Sequence, residues 1–95
     1  MSDVSDSYFT TAINDFWGGQ NATDTDGAIA AVIIGLQNFC AGVRAAGNPN
    51  DTADQYLKLA IDHFWSAQFK IGTDRDVSMS TGCQLFCAGV KEMYK

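Results

Sequence analysis

The pentapeptide Phe39-Cys40-Ala41-Gly42-Val43 returns unchanged as Phe86-Cys87-Ala88-Gly89-Val90. A second phrase precedes each copy. Asp6, Tyr8, Ala12, Ile13, Phe16, Trp17 and Gln20 are matched, at the same internal spacing, by Asp54, Tyr56, Ala60, Ile61, Phe64, Trp65 and Gln68. A chain built this way is constrained twice over, because whatever one copy folds into must suit both. We read one domain, residues 1–95, holding a first repeat at about 6–46, a linker at 47–51 and a second repeat at about 52–94.

Each repeat has the periodicity of a helical hairpin. In the first, Tyr8, Phe9, Ala12, Ile13, Phe16 and Trp17 fall at the paired i, i+4 spacing of an amphipathic helix, predicted over 6–20. Gly18-Gly19 then suits a stop. A second helix is predicted over 24–46, with Thr23 and Asp26 as a variant capping box. On a wheel its Ile29, Val32, Ile33, Leu36, Cys40 and Val43 form an aliphatic arc, beside a stripe of Ala28, Ala31, Gly35, Gly42 and Ala46. Gly47-Asn48-Pro49-Asn50 breaks the helix. The second repeat follows the same plan, with helices predicted over 53–69 and 74–93. Their capping pairs are Thr52 with Gln55 and Thr73 with Asp76. The expected fold class is therefore all-α: a four-helix bundle of two duplicated hairpins related by a pseudo-twofold axis. The small-residue stripes should let the second and fourth helices cross closely; the thiols of Cys40 and Cys87 would meet only if the axis passes near them, which the sequence leaves open.

The copies differ most between the cap and the first glycine. Ala31-Val32-Ile33-Ile34-Gly35 corresponds to Ser78-Met79-Ser80-Thr81-Gly82. The first copy is apolar here and the second is wet, so Ile33, Ile34 and Leu36 are candidate interface residues. The same apolar run raises the possibility of a membrane span. Gln37 and Asn38 interrupt it, its length is at the short limit, and its duplicate is polar, so a packed helix is expected instead.

Composition narrows the function classes. The 95 residues carry a net charge of −5 and only six basic side chains. That excludes a generic nucleic-acid binder, which needs a basic face. Three cysteines do not make a secreted disulfide scaffold. The acidic, polar N-terminus has neither a basic n-region nor an apolar run, so a cytoplasmic location with reduced thiols is expected. Cys83 and Cys87 share a helix face, but a zinc site would need Cys40 and the sole histidine, His63, as well. Cys40 and Cys87 instead occupy equivalent positions between Phe and Ala, which reads as core, and no metal or cofactor is expected. No Ser or Cys is paired by the pattern with a base, so an enzyme is not expected.

Two functional readings follow. The first is a small acidic non-enzymatic protein acting through protein–protein contact, as a homo-oligomer or on another protein, in the role of adaptor, inhibitor or structural component. The second is a binding module for a small apolar or aromatic ligand held between the two Phe-Trp helices. Phe16, Trp17, Phe64 and Trp65 would line that pocket, and Gln20 and Gln68 would orient the ligand.

Overall fold

The structure is a computed structural model that describes residues 3–95; Met1 and Ser2 lie outside the described residues. Four helices follow in order: α1 (Asp3–Gln20), α2 (Thr25–Gly47), α3 (Asp51–Ala67) and α4 (Gly72–Met93). They pack in antiparallel pairs, α1 on α2 and α3 on α4, and α2 packs on α3 to join the pairs. The all-helical, four-helix expectation holds. The predicted α1 began too late, because Asp3 and Asp6 place acidic side chains at the positive end of the helix dipole.

The caps are not the predicted ones. Asp24, not Thr23, caps α2 by accepting the Gly27 amide. Asn50, not Thr52, caps α3 by accepting the Ala53 amide at 2.9 Å, while its amide nitrogen donates to the Glu92 carbonyl at the far end of α4. The start of α4 has no side-chain cap at all. Extended Ile71 leads into Gly72, whose φ of +59° admits glycine and few other residues. In each run of Ser, Thr, Asn and Asp several residues can cap locally, so sequence alone chose the wrong member.

The glycines of α2 and α4 do not face each other. A Cβ at Gly35 would meet the Phe16 ring at 2.5 Å, and one at Gly42 the Phe9 ring at 2.6 Å. In the second hairpin Gly82 meets Phe64 at 2.6 Å and Gly89 meets Leu57 at 2.8 Å. The small-residue stripe therefore lets an aromatic or aliphatic side chain lie on the helix backbone of its own hairpin partner. This corrects the expected central crossing: α2 and α4 approach closely only at a few points, with Phe39 and Phe86 in tilted ring contact at 5.4 Å. Cys40 is fully buried but Cys87 is exposed, and all three thiols are free. The reading of Cys87 as core is corrected accordingly.

A twofold axis exchanging the hairpins would carry the α2–α3 contact onto an α4–α1 contact. Among the described residues no Cα of α1 comes within 8 Å of α3 or α4. The four helices form a flattened, open arrangement measuring 40 × 28 × 16 Å. The core sits at the second hairpin and the joint: Cys40, Leu57, Ala60 and Phe64, flanked by Leu36, Ile61, Leu85, Phe86 and Met93.

Candidate functional site

The predicted ligand residues are divided between two places. Phe16, Trp17 and Gln20 line an open groove with Ile13, Gly19 and Val32. Phe64 is 1% exposed and belongs to the core, whereas its counterpart Phe16 is 36% exposed. Trp65 points outward and meets Phe69 edge-on at 5.4 Å. Gln68 lines a different groove, between Ile33 of α2 and Lys70, Ile71 and Arg75. Among the described residues the two Phe-Trp helices do not meet, because α2 packs against both and separates them.

The predicted interface trio is divided as well. Ile33 is buried, so it is removed from any surface in the folded chain. Leu36 is half-buried against the core. Ile34 alone is exposed. The physical reason is the position of α3, which covers the Ile33, Leu36 and Cys40 side of α2. Helical periodicity tells which residues share a face, and nothing in it says which neighbour covers that face.

What the structure exposes instead is apolar surface elsewhere. Ile13 is 66% exposed, Trp17 67% and Trp65 57%. Phe69, Leu59, Ile71, Val77 and Tyr94 are also open. The total accessible surface is 5860 Å², against about 5300 Å² for a typical folded monomer of this mass. An internal repeat supplies the signal that could have found this surface: Ile61 is half-covered at the joint, and its copy Ile13 has no helix to cover it.

The joint between the pairs has a defined chemistry. Arg44 of α2 grips Asp54 of α3 with two guanidinium nitrogens, Nε to Oδ1 and Nη2 to Oδ2, the latter at 3.3 Å. Lys58 Nζ reaches Oδ2 of the same carboxylate at 3.0 Å. These donors, Arg44 first and Lys58 second, hold the Asp54 carboxyl down to about 2. Beside them the Cys40 thiol donates weakly to the Leu57 carbonyl, S···O 3.6 Å. Burial pushes that thiol up to about 12, with Arg44 acting slightly the other way. Cys40 is therefore a small apolar filler and no nucleophile.

On the other side of α2, Asn38 Nδ2 donates to Asp15 Oδ2 of α1 at 2.9 Å. By length and composition α2 could cross a membrane. In this fold it is packed by α1 and α3 on two sides, and its polar residues Asn38 and Arg44 are tied to them. No protein-family model matches the sequence, and comparisons with characterised proteins and with solved structures return no match.

Proposed function

We propose that the chain is a non-enzymatic, cytoplasmic protein that works through contact with protein surfaces, in the first place with other copies of itself. One observation carries this reading: large apolar side chains, the neighbouring Ile13 and Trp17 among them, lie open on a molecule with more surface than its mass requires. Contiguous exposed apolar surface is a mark of interaction sites in soluble proteins. An acidic chain of net charge −5 favours a protein partner over nucleic acid or an anionic membrane.

We read the two hairpins as copies of one ancestral unit. The matched contacts support this: Phe16 lies on Gly35 as Phe64 lies on Gly82, and Phe9 on Gly42 as Leu57 on Gly89. The relation between the copies is then better described as an open repeat than as the closed twofold expected from sequence.

Light scattering coupled to size exclusion tests the self-association. The expected mass is a multiple of 10.2 kDa that falls on dilution. A strictly monomeric protein at about 100 μM, where contacts of only about −5.5 kcal/mol would be half occupied, refutes the reading. If Trp17 fluorescence instead responds to a small apolar probe in a monomer, the ligand-binding reading of the Ile13–Trp17 groove takes its place.

A further inference from the structure

The structure exposes, at its two ends, the two halves of a joint that it has already built once in the middle. In the joint Arg44 of α2 pairs with Asp54 of α3, Cys40 is sealed against Leu57, and Leu36 and Ile61 pack at the edges. The repeat places a copy of each half elsewhere. The copy of the α2 half lies on α4, where Cys83, Cys87 and Lys91 stand in for Leu36, Cys40 and Arg44. The copy of the α3 half lies on α1, where Asp6, Ile13 and Phe16 stand in for Asp54, Ile61 and Phe64. Within the joint these positions are buried or half-buried; at the ends all six are exposed.

We propose, building on the self-association reading, that the α4 face of one molecule docks on the α1 face of a second copy and repeats the α2–α3 joint between chains. The occupant is specified by charge as well as by shape. Lys91 carries the sign of Arg44 and Asp6 the sign of Asp54, so each end finds its complement only on the opposite end of another molecule. Like ends would set Lys91 against Lys91 or Asp6 against Asp6. A contact of this kind is head-to-tail, and it leaves a free α1 face and a free α4 face after every addition. It therefore grows into a ring or a filament rather than stopping at a two-fold dimer. Continuation within one chain is not what the fold does, since α1 approaches neither α3 nor α4.

The test measures mass against concentration for the full chain, for Asp6→Lys, for Lys91→Glu, for the double variant and for Ile13→Asp. All three positions are exposed, and circular dichroism checks that each variant keeps its helices. Each single charge reversal faces like against like and should weaken association about tenfold. The double variant restores a pair of reversed sign and should return association to within about threefold of the original. An equimolar mixture of the two single variants should co-assemble more tightly than either alone. Ile13→Asp should remove assembly at concentrations where the original is assembled. An assembly indifferent to both charge reversals, or one that the double variant does not rescue, overturns the head-to-tail contact while leaving self-association standing. A monomeric original protein overturns both.

Discussion

At the scale of single residues, burial separates side chains that the sequence makes look alike. Gly35 and Gly82 are copies, and each lies under a phenylalanine ring. Phe64 is walled in on all sides, whereas Phe16 borders solvent and has room to yield. Alanine at Gly82 should therefore destabilise by about 1–2 kcal/mol, the overpacking exceeding the gain in helix propensity. Alanine at Gly35 should be neutral or mildly stabilising. Urea unfolding of the two variants checks the contrast, and equal effects would contradict it. The cysteines divide in the same way. Cys40 is sealed and its thiol stays protonated, while Cys83 and Cys87 are exposed. In dilute solution, where the α4 face is unpaired, a thiol reagent should label Cys83 and Cys87 in the folded protein and Cys40 only on unfolding. Cys83 should react more slowly than an ordinary thiol, because partial burial and then the neighbouring Cys87 raise its pKa.

At the scale of elements, the α2–α3 joint depends on ionisation. The folded Asp54 carboxyl is held down to about 2, from an ordinary 3.8. A depressed carboxyl contributes stability that is fully present above its unfolded value and is lost as pH falls through the folded one. The difference in stability between the original protein and Asp54→Asn should thus be constant above pH 3.8 and shrink as pH falls toward about 2. Acid titrations followed by circular dichroism would reveal a different window if Arg44 were not the partner. Asn50 is the other element-scale device, capping α3 and tying it to the end of α4. Asn50→Ala should cost about 1–2 kcal/mol, measured by thermal or urea unfolding. The elements themselves were legible in the sequence, since all four helices follow from apolar spacing and breakers. Their caps were not, because Asp24 and Thr23, or Asn50 and Thr52, differ only in backbone angles that the whole chain sets.

At the scale of the whole molecule, the decisive fact is that the arrangement is open. A closed bundle would have covered Ile13, Phe16 and Lys91, and an open one leaves them for another chain. If copies assemble through these faces, folding and association are linked by mass action. The melting temperature should then rise with protein concentration, and it should become independent of concentration in the Ile13→Asp variant. A concentration-independent melt in the original protein would argue that each molecule is stable alone.

The sequence by itself determined the helices and their pairing into hairpins. Those are properties of local spacing and of short loops, and a repeat states them twice. The tertiary structure alone decided that the glycines receive rings from within their own hairpin, and that α3 covers Ile33 and Cys40. It alone decided, too, that the equivalent face of α4 is left bare. Which face a helix turns toward which neighbour depends on the angle between hairpins, and that angle is set by long-range packing that periodicity does not encode.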